Sequence, residues 1–215
     1  KEQIKYNIKL CGGDTTFSKN LSFTFIVVGF SKKIIRRNNA KIKDDIYVTG
    51  NLGDSYVGLQ VLKKKISVSK SQYKYFVNKF YKPNIQFKLT TNLLKFSNSS
   101  IDISDGLIAD LEKLINSQKL KYQIYLEKLP TSHHLKSLIK KSKLTKIGTV
   151  SKGDDYQILF TANKEKSRII KIISKKLKVK ITKIGEILPS FQKSVIIDKK
   201  GNIIRPKNKG YIHQF

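Results

Sequence analysis

The chain has 215 residues, and the 39% that are hydrophobic are spread along its whole length, enough for a globular core and against a disordered domain. Its longest apolar run, Phe23 to Phe30, falls far short of the ~20 residues a membrane helix needs, and the single cysteine, Cys11, excludes an internal disulfide. The net charge of +29 comes from 44 Lys and Arg against 15 Asp and Glu; the lysines are dispersed and no nucleic-acid motif accompanies them, so they read as solvated surface.

The first residues, Lys1-Glu2-Gln3-Ile4-Lys5, carry no signal-peptide core, and a lone thiol fits a reducing cytoplasm. There is no Met at any position, which leads us to expect a piece of a longer reading frame.

In chain order, Ile4, Tyr6, Ile8 and Leu10 alternate with polar residues and predict a half-buried strand running into Gly12-Gly13-Asp14. Leu21 to Phe30 predicts a second strand, buried on both faces or at an interface. The basic stretch Ser31 to Lys43 marks a domain junction, giving expected domains of 1–38 and 39–215. Asp45 to Gly50 predicts a strand, and Asp54 to Leu62 a helix with Asp54 or Ser55 at its start. Helical spacing recurs over Ser71 to Tyr81, which stops before Pro83. Ile101 to Ile103 predicts a short strand, followed by an amphipathic helix with Leu107, Ile108, Leu111, Leu114 and Ile115 on one side. Beyond it come a strand at Tyr122 to Leu126, a helix from Ser132 to Lys141 with surface His133 and His134, a strand at Tyr156 to Thr161, a helix at Lys164 to Lys176 and a strand at Val179 to Leu188. Val195 to Ile197 and Ile203-Ile204 flank Asp198-Lys199-Lys200-Gly201-Asn202, a hairpin turn. The alternation predicts an α/β or α+β fold.

Acidic residues are scarce, yet six of the 15 lie in four segments rich in Gly, Ser or Thr: Gly12 to Thr16, Gly53 to Ser55, Ile101 to Gly106 and Gly153 to Tyr156. Mg²⁺ takes oxygen ligands and shares them with substrate phosphates, so carboxylates beside flexible backbone point to a metal-phosphate site. Asp102 and Asp105 span a strand-to-helix turn, where both can face one cation while the helix N-terminus and Ser104 face phosphate oxygens. A helix cap explains only one of this pair. Neither a Walker-type phosphate loop, the protein-kinase signature set nor a Cys/His zinc pattern is present.

Taken in order, these segments resemble the thiamine-monophosphate kinase family, in the superfamily of aminoimidazole ribonucleotide synthetase and selenophosphate synthetase. The resemblance rests on Gly12-Gly13-Asp14-Thr15-Thr16, Asp45 to Gly50 with Leu52-Gly53-Asp54-Ser55, Ile101 to Leu107, Gly153-Asp154-Asp155-Tyr156 with Leu159-Phe160-Thr161, Ile184-Gly185 and Gly210 to Phe215. It implies a PurM-like two-domain architecture and transfer of the ATP γ-phosphate to thiamine phosphate, with several Mg²⁺ ions. It further implies Asp14, Asp102 and Asp105 as metal ligands, Gly13, Asp14, Arg37 and Ser104 at ATP, and Asp154 and Tyr211 at thiamine phosphate. The family usually has Glu where this chain has Asp154. A complete kinase carries roughly another hundred residues, a typical domain's worth, before the Gly-Gly-Asp segment. They include most of the ATP-binding domain through which the enzyme forms a homodimer. Residues 1–38 would then be the end of that domain, and this chain alone would show weak or no kinase activity. Two alternatives stand beside this: another ATP-dependent enzyme of the superfamily, and a basic module that binds nucleic acid without Mg²⁺ or ATP.

Overall fold

Strand β1 (Asp45–Thr49) is buried along its full length, and its side chains alternate between two cores. Ile46 and Val48 enter one apolar cluster and Tyr47 enters the other. The computed structural model describes residues 2–142 and 144–211 and divides into two compact units, Lys1–Ile34 and Ile35–Phe215.

In the larger unit β1 lies near the middle of a six-stranded sheet of order β2-β4-β1-β5-β3-β6. The partners are β2 (Ser99–Asp102), β3 (Lys121–Tyr125), β4 (Ile158–Ala162), β5 (Ile181–Leu188) and β6 (Val195–Ile197). Neighbouring strands are antiparallel except for β3 and β6, which run parallel. Register places Tyr47 opposite Phe160, and the two rings stack with centroids 5.2 Å apart.

Helix α5 (Leu107–Ile115) covers one face of the sheet through Leu107, Ile108, Leu111 and Leu114. On the other face Leu89 and Leu93 of α4 (Phe87–Leu93) and Ile170 and Ile173 of α8 (Ser167–Leu177) pack around Tyr47 and Phe160. Burying each such side chain contributes roughly 1.5–3 kcal/mol. A third cluster joins Val57 and Val61 of α2 (Asp54–Leu62), Phe76 of α3 (Lys70–Tyr81) and Leu135 and Leu138 of α6 (His133–Lys141). Polar side chains fix where α3 and α6 begin: Ser69 and Gln72 form a capping box, and the Ser132 hydroxyl accepts the Leu135 N–H at 3.0 Å. No helix among the described residues is long and apolar enough to cross a membrane.

The smaller unit departs from expectation. Glu2–Tyr6 forms a short helix, α1, with an ion pair between Glu2 and Lys5, where a strand was expected over Ile4 to Leu10. Leu21 to Phe30 forms no described strand, and Leu21, Phe23, Phe25, Ile26, Val27, Val28 and Phe30 are exposed. An alternating or apolar pattern becomes a strand only when a second strand takes up its backbone hydrogen bonds. Two further helices went unforeseen. In α4 the adjacent Thr90 and Thr91 dilute the helical signal, and α7 (Lys146–Val150) is too short to show a period.

Candidate active site

The turn from β2 into α5 is organised by a residue inside the helix. Gly106, just before α5, has φ +124° and offers no side-chain cap; its place is taken by Asp110. One Asp110 oxygen, Oδ2, accepts the backbone N–H groups of Ser104, Asp105 and Gly106 at 3.0, 2.9 and 3.0 Å. Of these, Gly106 belongs to the helix start, whose first amides have no partner within the helix, while Ser104 and Asp105 precede it, so Asp110 holds the turn that leads into α5. On this turn the Asp102 side chain is exposed and those of Ser104 and Asp105 are half-buried. Asp110 is fully buried, and burial raises its pKa against the pull of the Asp105 and Gly106 amides. Lys113, one turn on, bonds Asp110 Oδ1 at 3.3 Å and also pairs with Asp105.

The Gly153-Asp154-Asp155-Tyr156 segment docks on this turn. The Asp154 N–H donates to the Ser104 carbonyl at 2.9 Å, and the Tyr156 N–H to the Ile103 carbonyl at 2.9 Å. Gly153 has φ +77°, and a Cβ there would fall onto the Ser104 carbonyl oxygen. Asp154 and Tyr156 also take the left-handed conformation, at φ 60° and 49°, so β4 begins at Ile158 instead of Tyr156.

These reversals send the two adjacent aspartates to different tasks. Asp155 is buried and accepts the Gly53 N–H at 2.7 Å, tying this segment to the start of α2. Burial pushes its carboxyl up to about 8, the Asp54 and Asp154 charges adding to the rise while the Gly53 and Ser55 amides oppose it. Asp154 is half-buried; burial raises its pKa first and the charge of Asp105 second. The Tyr156 hydroxyl is raised by burial and then by the charges of Asp154, Asp102 and Asp105. The three carboxylates therefore share one electrostatic neighbourhood.

The chain's last described residues reach the same place. The Tyr211 N–H donates to the Asp105 carbonyl at 2.8 Å, and the Lys209 carbonyl accepts the Ala109 N–H at 3.0 Å. Residues 212–215, the rest of the Gly210 to Phe215 segment, lie outside the described residues. The fold of the larger unit thus gathers Asp102, Ser104, Asp105, Asp154 and the backbone of Tyr211.

Arg37 is set apart from that group. Its neighbour Asn38 bonds the Leu114 carbonyl at 2.7 Å and the Ser117 N–H at 3.1 Å. This is the C-terminal end of α5, whose length of about 13 Å separates it from the Ser104 turn. Gly13 and Asp14 belong to the smaller unit, where Asp14 Oδ1 accepts the Thr15 N–H at 2.8 Å. Asp54 serves the fold: it accepts the Ser132 hydroxyl at 2.6 Å and the Tyr75 hydroxyl at 2.9 Å, and burial raises its pKa. Asp110 and Lys113 escaped the sequence reading, though an aspartate on the apolar face of α5 was a usable signal.

Among the described residues no three His, Cys, Asp or Glu side chains are placed to hold a metal ion unaided. Mg²⁺ does not require that, since it binds through one or two carboxylates and completes its shell with water and substrate phosphates. Asp102 and Asp105 supply hard oxygen donors of that kind beside Asp154.

No protein-family model matches the chain. It is 39% identical over 212 residues to the thiamine-monophosphate kinase of Buchnera aphidicola subsp. Acyrthosiphon pisum, covering 97% of this chain and 65% of that protein. A solved complex of AaThiL with AMPPCP and TMP superposes with a TM-score of 0.67 at 28% identity, covering 83% of this chain and 54% of that one. The hydrogenase maturation protein HypE of E. coli shares the fold alone, with a TM-score of 0.63 at 13% identity over 82% of this chain and 52% of its own. The mixed sheet with helices on both faces is thus the PurM-like fold. The chain spans just under two thirds of the length of the Buchnera relative. Over that part of their length, sequence identity, the shared fold and the ordered acidic segments make the chain similar to the thiamine-monophosphate kinases.

Proposed function

We propose that the enzyme carrying this chain transfers the γ-phosphate of ATP to thiamine phosphate, giving thiamine diphosphate and ADP. The observation that carries this reading is the docking of the Asp154–Tyr156 backbone on the turn that carries Asp102 and Asp105, in a chain 39% identical to a thiamine-monophosphate kinase. Phosphoryl transfer between two anionic groups needs alignment and charge neutralisation more than a covalent nucleophile. The site accordingly offers carboxylates and backbone anchors in place of a nucleophile–base pair.

In this reading Asp102 and Asp105, with Asp14, would hold Mg²⁺, whose charge offsets that of the phosphates. Gly13, Asp14, Arg37 and Ser104 would contact ATP, and Asp154 and Tyr211 would line the thiamine phosphate site. The Asp105 carbonyl tethers Tyr211 and the Ser104 carbonyl tethers Asp154, so one turn positions the proposed substrate and metal groups together. Asp154 is one methylene shorter than the usual Glu; its backbone anchor on Ser104 sets how far it reaches. The protein would act in the cytoplasm as a homodimer.

The test is ADP release on addition of thiamine phosphate to enzyme, ATP and Mg²⁺. Release that is indifferent to thiamine phosphate, or that responds instead to an aminoimidazole precursor or to selenide, would move the protein elsewhere in the superfamily.

A further inference from the structure

The geometry points to Asp110 as a positioning residue for the metal-binding edge of the site. This rests on the reading of Asp102 and Asp105 as Mg²⁺ ligands. Asp110 is fully buried, one turn inside α5, where the apolar stripe would accept a hydrophobic residue. Its Oδ2 accepts three consecutive backbone N–H groups, those of Ser104, Asp105 and Gly106, all within 3.0 Å. Three donors converging on one oxygen fix the path of three residues, two of which carry proposed ligand-contacting side chains.

The same turn's carbonyls are also committed, Ser104 to the Asp154 N–H and Asp105 to the Tyr211 N–H. With its amides bound by Asp110 and its Ser104 and Asp105 carbonyls bound by the flanking segments, the backbone of the turn is held from both sides. Lys113 completes the arrangement by bonding Asp110 Oδ1 and pairing with Asp105, which balances charge beside the turn. Asp110 acts on the metal through this geometry. Partners that orient metal ligands in this way alter metal affinity by about 10- to 100-fold when removed.

The test uses the full chain and Mn²⁺ as a paramagnetic probe of the Mg²⁺ position, read by electron paramagnetic resonance, alongside amide hydrogen exchange. Asp110→Ala should weaken Mn²⁺ binding by about tenfold or more. Exchange should accelerate at the Ser104, Asp105 and Gly106 amides while that of β1 and β4 stays at the parent rate. Asp110→Asn keeps an acceptor oxygen and should recover part of both losses; it also carries the test should the Ala variant fail to fold. Parent-like Mn²⁺ affinity in Asp110→Asn and Asp110→Ala, with Asp105→Ala impaired, overturns the positioning role alone. Parent-like affinity in Asp105→Ala overturns the metal-site reading and this inference with it.

Discussion

Replacing Asp155 by Asn should change stability in a way that depends on pH with a known sign. Asp155 is 4% exposed and accepts the Gly53 N–H at 2.7 Å, and burial pushes its carboxyl up to about 8. In the unfolded chain the same carboxyl titrates near 3.9. Between about pH 4 and about pH 8 the folded protein therefore keeps a proton that the unfolded chain has released. The stabilisation from that proton is complete below about pH 4 and is lost as pH rises through the folded value. The slope is roughly 1.4 kcal/mol per pH unit, so the loss from pH 5 to pH 7 is on the order of 2–3 kcal/mol. Asn does not titrate and can still accept from Gly53. Urea unfolding of both proteins at intervals from pH 5 to pH 7 should show the variant gaining on the parent as pH rises. A stability difference that is constant with pH, or that favours the parent more as pH rises, would mean that Asp155 is ionised in the fold and would refute the retained proton.

Other substitutions separate the tie from the site. Gly153→Ala places a Cβ on the Ser104 carbonyl oxygen at φ +77°, and should cost about 1–3 kcal/mol in denaturant unfolding. Asp54→Ala leaves the Ser132 and Tyr75 hydroxyls without their acceptor and should lower stability by about 1–3 kcal/mol while leaving Mn²⁺ affinity at the parent value. A lost Mn²⁺ site in that variant would place Asp54 in the metal centre instead. Phe160→Ala empties the middle of the second core beside Tyr47 and should cost about 3–5 kcal/mol.

What the sequence discloses follows the range of the forces involved. The stripe Leu107, Ile108, Leu111, Leu114 and Ile115 is a local pattern with a local consequence, and α5 forms where it predicts. The start of α6 was legible for the same reason, because Ser132 caps it by its own chemistry, whereas α2 begins at Asp54 without a side-chain cap and its Gly53 N–H goes to Asp155. Residues 4–10 show the limit: their alternation is genuine, but a strand needs a partner, and a short helix forms instead. The division of labour between Asp154 and Asp155 depends on left-handed conformations at Asp154 and Tyr156, which no glycine marks. Asp110 was hidden because its value lies in reaching back to a turn four to six residues earlier, a contact that exists only once β2, α5 and the Gly153 segment have docked.

The central question is whether the Asp102–Asp105 pair supports metal-dependent phosphate transfer. The direct measurement is thiamine diphosphate formed from thiamine phosphate and ATP by the enzyme carrying this chain, with and without Mg²⁺, in the parent and in Asp102→Ala and Asp105→Ala. Product should form only with Mg²⁺ and fall by at least about 100-fold in each variant, on the order of 3 kcal/mol of lost transition-state stabilisation. Parent-level product formation in both variants would contradict that role for the pair.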